Sequence, residues 1–334
     1  MTRSLQDLPW LPSIEGFREQ CRAVDPASKS AASDLRRLAS HALDINQLSL
    51  LERTLRRCEA AGSELKGLTG VRLALLGNGT LPREALDFLA ACVAGRLSIL
   101  ISGGTGAGKT TLLNALSAWI PHGERVVTIE DSAELRLEHP HVVRLETRQP
   151  SADGKGEVTP RDLVRNSLRM RPDRILLGEA RGAEAFDLLQ AMNTGHEGSL
   201  ATIHANDARE ALMRLEMMVL MTGIDLPLKS IRSYITAAVR VVVHMARLHG
   251  GSRRVLRISE LRGIDASGEY RLEPVFEFRQ EGVRDGRAIG RFRATGDIPE
   301  CLDKLGASGI ALPREAFAAR WMETPAAEET RHAA

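Results

Sequence analysis

The chain has 334 residues, 43% of them hydrophobic and 26% charged, with a formal net charge of +2. That length suits two ordinary domains or one large domain with appendages, and the composition is that of globular proteins rather than disordered or fibrous ones. No apolar run approaches the roughly 18–20 residues of a bilayer span. The opening MTRSLQDLPWLPSIEGF lacks the apolar core of a signal peptide, and the near-neutral balance gives no reason to invoke nucleic acid. Cys21, Cys58, Cys92 and Cys301 lie far apart with no C-x-x-C pair. A cytoplasmic, reducing location without a disulfide framework is expected.

Residues 1–80 read as a polar, helical segment. Leu35, Leu38 and Leu43 mark one helix face and Leu48, Leu51 and Leu55 another, with Asn46 as an N-cap and Gly62 as a stop. The run VRLALLG (71–77) reads as a buried strand. From Pro82 a helix carries Ala85, Leu86, Leu89 and Val93 on its apolar side, ahead of a strand ending in ILIS. Beyond a glycine-rich turn, strands are expected at 125–131, 141–147, 173–179 and 198–205, with a helix over 183–193 and Pro160 in the first turn of another. Near-continuous apolar strands alternating with helices predict an α/β fold with a mostly parallel, doubly covered sheet.

The Met-rich ALMRLEMMVLM places Met213, Met217 and Met221 four residues apart, a spacing read as core packing. After Pro227 a helix leads into AAVRVVVHMARL. Two amphipathic strands then follow, RRVLRISELRGI and GEYRLEPVFEFRQ, turning at 265–268, and IPECLDKLGASGIALPREAF reads as two short helices. The division expected is 1–80, 81–250, a C-terminal hairpin with helices over 251–320, and a frayed tail over 321–334.

Gly103-Gly104-Thr105-Gly106-Ala107-Gly108-Lys109-Thr110 satisfies G-x-x-x-x-G-K-[ST] between a predicted strand and a predicted helix. Glycines let backbone N–H groups converge on phosphates at a helix start, and Thr111 continues the same turn. Lys109 is suited to neutralise the β- and γ-phosphates, and the Thr110 hydroxyl to complete a Mg²⁺ shell. RILLGEARG ends a strand in an acid, Glu179, preceded by Gly178 where an Asp is usual; such an acid orders a metal shell or an attacking water. TIEDSAEL ends a third strand in Glu130 and Asp131. TGHEGSLATIHAN sets His196 and His204 on either side of a strand.

These four motifs, in this order and spacing, resemble the Walker A, Asp box, Walker B and His box of type II/type IV secretion ATPases. LVRNSLRMRPDRILLGE, LQAMNTGHEGSL, LPLKSIRSYITAAV and GRFRATGDIPECLDKLGASGIALP look most similar to the CpaF-like ATPases of tight-adherence (Flp) pilus assembly. The resemblance covers about residues 80–317 and implies a RecA-like P-loop core with a small C-terminal β/α appendage. It further implies ATP and Mg²⁺ as cofactors, a homo-hexameric ring, and inner-membrane platform proteins as partners, with no direct nucleic-acid contact. Carried over by position, Thr110, Glu130 and Glu179 serve the metal and the water, with either acid able to act as base. His204 senses the γ-phosphate and His196 opens the same box. Arg148, Arg169 and Arg181 are candidates for phosphate or inter-subunit contacts. Ala201 stands where the family more often has a hydroxyl residue.

Upstream of Thr80 the D-x-R-L-P-D-G-x-R and R-K-F segments of that family are not found. LPWLP…FR, LRRLASHALDINQLSLLERTLRR and VRLALLGNGTL instead resemble the opening of FkbH-like domains of the haloacid dehalogenase class. The leading expectation is an ATP-hydrolysing motor subunit that powers pilus assembly or type II/IV secretion; the alternative is a composite chain joined near residues 77–82, one that binds nucleotide but turns it over poorly. A DNA-transfer motor of the same superfamily is a third reading.

Overall fold

In the structure, a computed structural model that describes residues 79–322 except Glu138, together with 22–24 and Leu75, strand and helix alternate much as the apolar pattern implies. The chain divides into two units, and Arg83–Met322 is the one that carries the motifs. It begins with α1 (Arg83–Ala94), β1 (Ile99–Gly103) and α2 (Lys109–Ser117), followed by β2 (Val126–Glu130) and β3 (Val142–Glu146). Next come α3 (Pro160–Ser167), β4 (Arg174–Ala180), α4 (Glu184–Asn193), β5 (Leu200–Ile203), α5 (Ala208–Leu220), α6 (Leu228–Ala238) and β6 (Val241–Arg247). The unit ends with β7 (Arg253–Ile264), β8 (Tyr270–Arg284), β9 (Arg287–Ala294), α7 (Cys301–Ala307) and β10 (Arg320–Met322).

All ten strands form one sheet in the order β10-β9-β8-β7-β6-β1-β5-β4-β2-β3. Strands β1 to β6 pair in parallel, while β6 to β10 pair antiparallel. One strand, β5, separates the glycine-loop strand β1 from the acid-bearing strand β4, the arrangement of a RecA-like core. Leu100, Val127, Ile129, Ile175, Leu177 and Val242 share a buried cluster with residues of α3, α4, α5 and α6. Their sequence neighbours Ile99, Ile101, Val126 and Leu176 are buried outside that cluster. With a period of two, each strand therefore covers both faces of the sheet, and α2 packs on β1 and β5.

Local chemistry sets the boundaries. Thr159 caps α3 by accepting from the Asp162 N–H while the Asp162 carboxylate accepts from the Thr159 N–H, with Pro160 next in line. Arg174, wholly buried at the start of β4, donates to the carboxylate of Glu124 and, over 2.6 Å, to the Val93 carbonyl. Replacing Arg174 with leucine strands a half-buried carboxylate and a buried carbonyl. Unfolding in urea is expected to show about 3–5 kcal/mol of lost stability. An unshifted midpoint would remove Arg174 from the scaffold that positions β4.

Several expectations need correction. Of the apolar run at 71–77, only Leu75 is described, and it is helical rather than extended; a short continuous apolar run does not distinguish the two. The other readings within 1–80, apart from residues 22–24 and 79–80, and the tail from 323 onward fall outside the described residues. Met213, Met217 and Met221 are exposed, not core. Helix α5 carries a second stripe, Ala208, Ala211, Leu212, Leu215 and Val219, and it is this one that is buried against the sheet. The two strands expected after residue 251 are joined by β9 and β10, and the four continue the main sheet at its β6 edge. Trp321 and Met322, placed in the frayed tail by sequence, belong to β10.

Candidate functional site

Parallel pairing brings the C-terminal ends of β1, β5, β4 and β2 to one edge, and the chemistry collects there. Strand β1 stops at Gly103, whose φ of +157° and position leave no room for a side chain: a Cβ would lie 2.4 Å from the Met245 carbonyl oxygen. Gly104, Thr105 and Gly106 form the exposed tip, and the Ala107 side chain turns inward. Helix α2 starts at Lys109 after Gly108, with no side-chain cap on its first turn. Its leading N–H groups are thus available to an anion. Thr110 lines the cleft beside the loop, and Thr111 is exposed in the same turn.

Lys109 is buried, and its ammonium folds back on the loop itself, donating to the carbonyls of Gly103 (2.9 Å) and Gly104 (3.1 Å). Burial lowers its pKa, partly opposed by the Glu179 carboxylate, with Arg181 adding to the lowering. His204, just past β5, places Nε2 2.8 Å from Glu179 Oε1 and 3.4 Å from Lys109 Nζ. Burial holds the His204 pKa below its ordinary value against the pull of Glu179. No aligned hydrogen bond joins the two: Glu179 Oε1 is buried without a hydrogen-bond partner among the described residues, so the 2.8 Å approach is a polar contact, and Nε2 is also the ring nitrogen that faces Lys109. Arg181 closes the group, donating to Glu179 Oε2 (2.6 Å) and Asp131 Oδ2 (2.7 Å). Lys109, His204, Glu179, Arg181 and Asp131 thus lie in one chain of close polar and charged contacts.

Glu130, buried at the end of β2, accepts from the N–H groups of Glu134 (3.1 Å) and Leu135 (2.9 Å) through Oε1 alone. It lines a cleft of about 160 Å³ with Thr110, Asp131, Gly178, Glu179 and Arg181. The departure at Gly178 has its cause here: a Cβ at that position would stand 3.1 Å from Glu130 Cγ. Gly178 is thus the space in which Glu130 lies. The Thr202 hydroxyl donates to the Gly178 carbonyl over 2.6 Å, a cross-strand bond one residue along from Ala201, which is buried in the core.

Among the described residues no group of three or more His, Cys, Asp or Glu side chains could enclose a metal ion. Mg²⁺ keeps much of its water and takes one or two protein ligands alongside nucleotide phosphates. Thr110 with Glu130 or Glu179 on one cleft fits that mode.

Other expected residues lie elsewhere. His196 precedes β5, at the opposite end of the strand from His204, and its buried Nδ1 has no hydrogen-bond partner. Arg148 donates to the Gly156 carbonyl (2.5 Å) and pairs through its backbone with Val158, closing the loop after β3. Arg169 is exposed after α3. Sequence reasoning did not single out the pairing of Asp131 with Arg181, nor Arg253, which reaches the glycine loop from β7. The first was implied by Asp131 ending a strand beside Glu179; the second has no local signal.

The sequence profile of the family described as "Type II/IV secretion system protein" matches residues 66–288, reaching upstream of the expected junction at 77–82. A putative conjugal transfer protein of Mycobacterium tuberculosis is 48% identical over 189 residues, which are 57% of this chain and 53% of that protein. The type IV secretion system protein PtlH of Bordetella pertussis is 43% identical over 188 residues, 54% of this chain and 55% of that one. A crystal structure of the VirB11 ATPase from the Brucella suis type IV secretion system, in complex with sulphate, is 39% identical. It covers 56% of this chain and 53% of its own, with a TM-score of 0.48. The chain spans about half the length of the curated relatives it matches. With the profile matching two thirds of its residues, the chain belongs to the type II/IV secretion system protein family.

Proposed function

We propose that this chain is an ATP-hydrolysing motor subunit of a secretion or pilus-assembly system, of the CpaF-like, tight-adherence kind. The supporting observation is that Lys109, Thr110, Glu130, Glu179 and His204 meet at one strand edge beside an uncapped helix start. ATP with Mg²⁺ supplies the phosphoryl group and the charge to be neutralised. Lys109 exchanges the Gly103 and Gly104 carbonyls for phosphate oxygens, and a carboxylate of the cleft holds the attacking water. His204 Nε2 lies between the acid Glu179 and the lysine, 2.8 Å from Glu179 Oε1 and 3.4 Å from Lys109 Nζ, so negative charge arriving beside the lysine acts on the acid as well. Six such subunits form a cytoplasmic ring that docks on inner-membrane platform proteins; family membership and the relatives named for type IV secretion support this assembly.

The test is ATP hydrolysis by the purified chain over a protein concentration series, with and without Mg²⁺. Turnover that requires Mg²⁺ and rises per subunit with concentration is the expected result. Bound ATP without turnover would replace the motor with a nucleotide-binding, catalytically impaired protein. The relative named for conjugal transfer supports a second reading, a DNA-transfer motor. Salt-sensitive DNA binding by the chain would favour it.

A further inference from the structure

Arg253, the first residue of β7, lies on the far side of the glycine loop from the acids. Its Nε donates to the Gly106 carbonyl over 3.0 Å, across 147 residues of sequence. Its Cδ sits 3.1 Å from where a Cβ on Gly108 would stand, so the aliphatic stem lies along the loop. Arg253 is exposed, and among the described residues no carboxylate pairs with it. Arg181, the arginine on the other side of the loop, is by contrast held by two acids. With Nε committed to a carbonyl, the two Nη groups of Arg253 remain as donors beside a phosphate cradle.

Sheet order gives the direction of any bound nucleotide. Glu130, Glu179 and His204 end or follow β2, β4 and β5, all on one side of β1, whereas β6 and β7 lie on the other. The terminal phosphate, which needs the acids, faces β5 and β4. The α-phosphate and nucleoside then cross the loop toward β6 and β7, where Arg253 stands. We propose that Arg253 is a nucleotide-binding residue that contacts the α-phosphate of a nucleoside di- or triphosphate while its Nε braces the loop tip. This rests on the nucleotide-site reading above.

The experiment is calorimetric titration of the full chain and its Arg253→Gln and Arg253→Lys variants with ATP, ADP and inorganic pyrophosphate. Glutamine can still donate to the Gly106 carbonyl but carries no charge; lysine keeps the charge without the planar fork. Arg253→Gln is expected to weaken ATP and ADP alike, by roughly 10- to 100-fold, the scale of a hydrogen bond to a charged group. Arg253→Lys should recover part of that loss, and pyrophosphate, which fills the cradle without an α-phosphate, should bind all three proteins similarly. Equal weakening of pyrophosphate and nucleotides by Arg253→Gln would make the residue a loop brace only and overturn the proposal. Unchanged nucleotide binding in Arg253→Gln would overturn it alone, leaving the nucleotide site standing. Failure of the unsubstituted chain to bind any nucleotide would overturn both.

Discussion

Lys109→Ala is expected to lower ATP turnover by about 10³-fold, the scale of removing a preorganised charge from a phosphoryl-transfer transition state. Nucleotide affinity should fall by roughly 10- to 100-fold, because a charge-assisted contact is lost while the backbone cradle remains. The asymmetry follows from geometry. The ammonium is already held over the loop by the Gly103 and Gly104 carbonyls, and burial has stripped away part of its solvation. Once it has exchanged those carbonyls for phosphate oxygens on binding, it stands in place for the negative charge that develops during reaction, so the larger share of its effect belongs to the transition state. Gly103 and Gly108 keep their left-handed or extended backbone whatever residue stands at 109, so the fold should survive the substitution. Hydrolysis and calorimetry on the same preparations check both numbers. A variant that turns over at the parent rate would place the chemistry somewhere other than this loop.

How far the sequence foretold this site depends on where each contact comes from. The glycine loop was legible because its conformation demands its own residues: a side chain at Gly103 would strike the Met245 carbonyl, and Lys109 opens α2 directly after Gly108. Glu130, Glu179 and His204 were legible because each ends or follows an apolar strand, and parallel strands bring such ends together. Arg253 was not, since nothing in its neighbourhood says that β7 passes the loop. His196 misled for the opposite reason: flanking a strand puts two histidines at opposite ends of it, so only one reaches the edge. Strand β9 was missed although its signal is present. Asp285 and Gly286 both have positive φ, 49° and 71°, as a tight hairpin requires. Ala288, Phe292 and Ala294 are buried on one side of β9, but interleaved arginines masked the alternation. On α5 two apolar stripes coexist, and periodicity cannot rank them. The alanine-rich stripe allows close approach to the sheet and is the buried one, which leaves the methionines outside.

The two acids of the cleft are separable by how their oxygens are used. Glu130 commits one oxygen to the Glu134 and Leu135 N–H groups; a glutamine keeps that acceptor, so Glu130→Gln leaves the loop anchored and removes only the charge and basicity. Glu179 accepts from Arg181 through Oε2, while its buried Oε1 lies 2.8 Å from His204 without a hydrogen bond. A glutamine there can still accept from Arg181 but removes the negative charge that faces Arg181, His204 and Lys109, leaving Asp131 as the carboxylate that pairs with Arg181. Glu130→Gln is therefore expected to cut kcat by about 10²–10⁴-fold, the range for loss of a general base, with KM for ATP little changed. Glu179→Gln is expected to cut kcat by a similar order, and also to raise the Mg²⁺ concentration needed for half-maximal rate. The pH dependence of kcat should change with it, because His204 loses the carboxylate that opposes the lowering of its pKa by burial. That pKa then falls further, and any limb of the profile that reports His204 protonation moves to lower pH. Kinetics at varied ATP, Mg²⁺ and pH distinguish the two signatures. If Glu130→Gln shifts the Mg²⁺ requirement and Glu179→Gln does not, the roles are reversed: Glu179 holds the water and Glu130 the metal.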